Sequence, residues 1–134
     1  MQLIQEITFS YAKVQLFDLK LVRLEIFGDT TIGEKEAREM NDAIGVLSRG
    51  KEILVLMLAD EITQFNDDAV NFSASHEGQL YTLGDAMVVK SMAQRIKANL
   101  YLTINKPKKP GKIFNSEKDA VKWLFSLEEN VIPA

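Results

Sequence analysis

Seven apolar residues in a row, Ile53 to Ala59 (ILVLMLA), constrain this chain more than any other feature. A run with no polar alternation has no side to offer water, so it reads as a central strand covered on both faces. It is far shorter than the roughly 20 residues that cross a membrane. Helical repeats lie on either side of it. Ala37, Met40, Ile44 and Leu47 recur at spacings of three and four before it, and Met92, Ile96, Leu100 and then Val121, Leu124, Phe125 recur after it. A buried strand between amphipathic helices implies an α/β domain with a mixed, mainly parallel sheet and right-handed crossovers.

The remaining elements follow from shorter signals. Residues 7–11 (ITFSY) alternate apolar and polar, 14–17 (VQLF) stay extended, and 21–27 (LVRLEIF) put Val22, Leu24 and Ile26 on one face. These read as an N-terminal hairpin around Asp18-Leu19-Lys20, although the Asn-Gly or Asp-Gly turn signal is absent. Thr31 is expected to cap the first helix, with Glu34 reaching back as in a capping box, and Gly50 to end it. Asn66 or Asp67 caps a second helix carrying Ala69, Val70 and Phe72. Residues 73–84 (SASHEGQLYTLG) either continue that helix or break and restart at Ser75, and Gly78 weakens both versions by about 1 kcal/mol. A strand over 85–91, a helix over about 91–104, a loop (NKPKKPGK) interrupted by two prolines, and a short strand (KIFN) come next. The last helix is capped by Ser116 with Asp119 at its third position, and Trp123 lies beside its apolar stripe. The order is β, β, α, β, α, β, α, β, α, one domain over residues 1–134 with about four helices.

At 134 residues a single core is enough, since folding buries roughly 65–70% of the surface of a chain this size. There is no cysteine, which excludes disulfides, a thiolate nucleophile and cysteine zinc sites, and is consistent with a reducing compartment. The first residues lack a basic start, an apolar block and a small-residue cleavage site, so a cytoplasmic protein is expected. A formal net charge of −3 argues against nucleic acid as a partner.

The segment DAMVVKSMAQRIKANLYLTINKPKKPGKIFNSEKDAVKWL, together with GDTTIGEKEAREMNDAI, resembles an uncharacterised bacterial group of STAS-like, or SpoIIAA-like, domains. The resemblance covers nearly the whole chain. It implies a STAS-like (SpoIIAA-like) fold and a non-enzymatic regulatory or protein-interaction module. In the wider family a phosphorylatable serine follows an aspartate where the central strand meets the next helix. The matching stretch here is LADEITQFND. Asp60 matches the strand-end acid, the serine has no counterpart, and Thr63 is the nearest hydroxyl.

A phosphate on Thr63 would add about −1.5 to −2 charge beside Asp60, Glu61, Asp67 and Asp68, which repel it. The preferred reading is that these acids cap a helix and keep a strand end in water, with Asp60 and Glu61 as the strand-end acidic site and Thr63 as the one phosphoacceptor candidate. The acids lack EF-hand spacing, so no metal is expected, and nothing calls for a cofactor. His76 is the only histidine, and neither Ser73 nor Ser75 sits in a nucleophile elbow or triad context, so the chain is not expected to be an enzyme.

Lys106, Lys108, Lys109 and Lys112 form a basic loop, read as solvated surface, with docking to an acidic partner, nucleic acid or a membrane surface as its functional alternative. Apolar residues crowd 79–83 (QLYTL) and 100–104 (LYLTI), and they serve as core packing, a homodimer contact or a small pocket around Phe72, Tyr81 and Tyr101. STAS-like folds resemble lipid-binding Sec14-type folds in places. Two functions follow: first, an interaction module with an unidentified protein partner or a second copy; second, a carrier or sensor of a small apolar, lipid-like ligand.

Overall fold

The computed structural model describes residues 1–129. Strands β1 (Leu3–Thr8), β2 (Ala12–Phe17) and β3 (Leu21–Ile26) form an antiparallel meander. A short strand β4 (Thr31–Ile32), helix α1 (Glu34–Leu47), β5 (Ile53–Ala59), a short β6 (Gln64–Phe65) and α2 (Asp67–Ala74) follow. The chain then makes β7 (Thr82–Val88), α3 (Met92–Leu100) with a π-helical turn at Tyr101–Asn105, β8 (Gly111–Phe114) and α4 (Glu117–Glu129). The main sheet runs β1-β2-β3-β5-β7-β8, with β3, β5, β7 and β8 parallel, and β4 pairs β6 in a separate ribbon. This is the mixed, mostly parallel α/β architecture with four helices that the apolar run and the helical repeats imply.

The run at 53–59 is β5, at the centre. Its side chains divide between two cores because successive residues of a strand point to opposite faces. Val55 and Ile53 join Val14, Val22, Leu24 and Ile26 under α1 and α2. Leu54, Leu56 and Leu58 join Ala86, Ala120 and Leu124 under α4. The sheet therefore carries α1, α2 and α3 on one side and α4 alone on the other.

Several expected boundaries are corrected. The extended pattern at 7–11 is not one strand: β1 ends at Thr8, and Phe9 N–H donates to the Ala12 carbonyl at 2.8 Å to turn the chain into β2. β1 is an exposed edge strand with weak patterning, which hid it from periodicity. The β2–β3 turn closes through Lys20 N–H to the Phe17 carbonyl at 3.0 Å, with Asp18 and Leu19 both at positive φ, as a type I′ turn requires, without the glycine that turn prefers. Thr31 does not cap α1. It lies in β4, and Gly33 is the cap, its N–H donating to Glu36 Oε1 at 2.8 Å. Gly50 does close α1, at φ +76 with its N–H on the Gly45 carbonyl.

α2 is capped by Asn66, whose Oδ1 accepts from Ala69 N–H at 2.9 Å, and α4 by Ser116, whose Oγ accepts from Asp119 N–H at 3.2 Å. α2 stops at Ala74 instead of continuing or restarting as a helix. A turn then leads into β7, which begins at Thr82 and ends at Val88, three residues earlier at each end than the patterning predicts. Gly84 obscured its start, because glycine is depleted in strands. Here glycine sits under α4: a Cβ at 84 would lie 2.3 Å from Leu127 Cδ1, whose side chain would have to shift to admit it.

Candidate functional site

The stretch LADEITQFND builds a latch. Asp60 Oδ2 accepts from Gly28 N–H at 3.1 Å, and Thr63 Oγ1 donates to the Gly28 carbonyl at 2.9 Å. Both main-chain groups of Gly28, which sits at φ +86, are thus held by side chains from the end of β5. Thr63 is 5% exposed, so a kinase would have to open this junction to reach its hydroxyl. Asp60 and Glu61 are not at a helix start, because β6 intervenes; Asp67 and Asp68 occupy the first turn of α2.

The basic loop lies at the opposite end of the parallel strands, before β8. Lys109 pairs with Glu52 ahead of β5, and Lys112 sits 5.6 Å over the Phe114 ring. Lys106, Lys108 and Lys109 line a hollow of about 370 Å³ with exposed His76. The hydroxyls of Ser73 and Ser75 donate to the Ala69 and Phe72 carbonyls instead of meeting His76. Among the described residues, no group of three or more acidic or histidine side chains is placed to hold a metal ion, and no helix is long and apolar enough to cross a membrane.

A cavity of about 460 Å³ lies between the sheet and α1, α2 and α3. Its floor is apolar, with Leu24, Val55 and Met57 from the strands, and Met40, Ile44 and Phe72 close one side. Phe72 and Tyr101 both line it; Tyr81 does not, its ring being packed over Gly45 of α1.

The roof explains the cavity. α3 and the π-helical turn after it present Ala93, Gln94, Lys97, Ala98, Leu100 and Tyr101 to the cavity. The two alanines are too small to reach the sheet, and α3 buries no residue. Of its expected apolar stripe, Met92 and Ile96 point away, 70% and 54% exposed, while Leu100 borders the cavity. Polar clasps hold the helix at its ends. Gln94 Nε2 donates to the Ala59 and Asp60 carbonyls at 3.1 and 3.3 Å, and Asn105 Nδ2 donates to Asn71 Oδ1 of α2 at 2.9 Å.

Asp85, which sequence patterning did not single out, lies in the middle of β7 and lines this cavity. Ile53 pairs with Thr82 and Leu54 with Gly84, so Leu83 is an extra, bulged residue that brings both Thr82 and Asp85 to the cavity face. Oδ1 of Asp85 is sealed from solvent with no hydrogen-bond partner, and burial pushes its carboxyl up to about 7. Burial, and secondarily the Asp85 charge, raise the Tyr101 phenol well above its ordinary range. Gln79 Oε1 is the other sealed, unpartnered acceptor. A carboxylate inside an otherwise apolar strand was the available signal, but the strand was expected to begin at Asp85, where a charge is unremarked.

A family model described as "Domain of unknown function (DUF7793)" matches residues 17–128. No curated protein matches the sequence. Among solved structures, the chain is similar to an uncharacterized protein from the DUF3478 family with a SpoIIAA-like fold from Shewanella loihica PV-4. That similarity has a TM-score of 0.55 at 14% identity, over 84% of this chain and 91% of the other. At such low identity it establishes the fold, in agreement with the STAS-like resemblance.

Proposed function

Because this chain belongs to the DUF7793 family, whose description assigns no activity, we propose its role from its own cavity: a non-enzymatic carrier or sensor of a small, mainly apolar ligand. The observation behind this reading is the space of about 460 Å³ walled by aliphatic and aromatic side chains, a size and character that suit a small-molecule site. Interiors normally pack without such gaps. The roof suits a sensor, since a helix fastened by a few hydrogen bonds can shift on binding at small cost.

The test is titration with a neutral apolar fluorophore such as N-phenyl-1-naphthylamine, on the native chain and on Ala98→Trp, whose indole occupies the space beneath the roof. Saturable one-to-one binding, weakened tenfold or more by the substitution, is expected. Absence of saturable binding, or equal binding to both proteins, sinks the reading.

A second reading, a regulatory module acting through a protein partner or a second copy, is favoured by the outward face of α3 and its π-helical turn, where Met92, Ile96 and Ile104 are 54–70% exposed. Sedimentation of the native chain against Ile96→Glu reads self-association through that face directly; an unchanged monomer in both leaves self-association without support.

A further inference from the structure

Within the cavity the polar groups are not evenly divided between donors and acceptors. Among the described residues, the two sealed side-chain atoms without a partner, Asp85 Oδ1 and Gln79 Oε1, are both acceptors, and both residues line the cavity. The orientation of Gln79 is set by its own amide nitrogen, which donates to the Ser73 carbonyl at 2.9 Å and leaves the oxygen unpaired. Buried polar atoms are ordinarily paired, so two orphaned acceptors at one cavity call for a donor. Asp85 has no structural employment: it caps no helix and forms no ion pair among the described residues.

Charge points the same way. The other ionisable groups on the cavity are Glu61 from the β5–β6 connection, Asp67 at the start of α2, Lys97 on α3 and the Tyr101 phenol. Three carboxyl groups against one ammonium make the site attractive to a cation and repellent to an anion.

Resting on the reading of this cavity as a ligand site, we propose that its ligand is an apolar amine, bound as the ammonium ion, with the head group on Asp85 and Gln79 and the apolar body under α3. An ammonium brings up to three donors and no acceptor, the complement of the two orphaned oxygens. Its charge also holds Asp85 ionised, so binding should release a proton wherever free Asp85 is still protonated. A fatty acid would instead bring a carboxylate into a cavity that already holds the carboxyl groups of Asp85, Glu61 and Asp67.

The experiment compares octylamine, octanoate and octanol by isothermal titration calorimetry on the native chain and on Asp85→Asn. One chain length separates the head group from the apolar body. Octylamine is expected to bind the native chain at least tenfold more tightly than octanoate, with Asp85→Asn losing most of that preference while octanol binding changes less than about threefold. On the native protein alone, octylamine affinity should rise from pH 6 to pH 8 while octanol affinity stays level, a readout that survives failure of the variant to fold. Equal affinity for amine and octanoate overturns the proposal but leaves the cavity reading standing. So does amine binding that tightens at lower pH, which would mean that a protonated Asp85 donates to the ligand. No binding by any of the three removes the cavity reading and this proposal together.

Discussion

Helices α3 and α4 cover the same edge of the sheet from opposite sides, and both carry an apolar stripe at helical spacing. α4 uses its stripe for the core, with Ala120 and Leu124 fully buried. It packs so closely that a Cβ on Gly84 beneath it would displace the Leu127 side chain. α3 turns Met92 and Ile96 of its stripe to the outside and rests on the sheet mainly through small and polar side chains and end clasps. One side of the sheet is therefore a closed core, and the other holds an open cavity with an ionisable group on its wall. The lesson is that amphipathic period locates a helix without saying which stripe the tertiary structure buries.

The sharpest way to break this contrast is a pair of truncations read by urea denaturation. Leu124→Ala should cost about 3 kcal/mol, as expected when a fully buried leucine leaves a cavity, whereas Ile96→Ala should change stability by less than about 0.5 kcal/mol. Similar losses at both positions would mean that α3 is packed like α4.

Asp85 supplies the next largest effect. Its carboxyl is raised to about 7 in the folded chain, against about 4 when unfolded. Between those values the folded chain holds a proton that the unfolded chain has released, so stability is greatest below about pH 4 for this group, falls as pH rises to about 7 and is level above. Asp85→Asn should flatten that decline and raise stability at pH 8 by about 1–3 kcal/mol. Thermal melts across pH 4 to 8 check this, and an unchanged slope in the variant would show that Asp85 titrates as an ordinary surface acid. A position that weakens the ligand-free fold fits a group kept for binding.

The smallest effect concerns the roof. Gln94→Ala removes both clasps to the end of β5 and should speed amide hydrogen exchange in α3 several-fold while global stability moves by less than about 1 kcal/mol. Exchange in α4 should be unaffected. Uniform acceleration in both helices would mean that the two sides of the sheet open as one unit.

Much of the architecture was legible in the residues. The seven apolar residues of β5, the spacing in α1 and the caps at Asn66 and Ser116 act within a few positions of chain, and each has its expected place. The site was less legible. Phe72 and Tyr101 were named as pocket candidates and line the cavity, but Tyr81 was named with them and packs on Gly45 instead. Thr63 and Asp60 were singled out for chemistry; they hold the two main-chain groups of Gly28, a residue more than 30 positions away, and no local pattern announces such a contact.

By itself, then, the sequence determined the alternation of strands and helices, the central place of β5 and the α/β class, because burial on both faces and helical period are written in neighbouring residues. Only the tertiary structure decided that α3 stands off the sheet and that Asp85 faces a cavity. The first depends on Ala93 and Ala98 being too short to span the gap and on clasps to Ala59, Asp60 and Asn71. The second depends on one bulged residue, Leu83, measured against the partner strand β5. Register and helix orientation are relations between distant segments, and such relations exist only once the chain has folded.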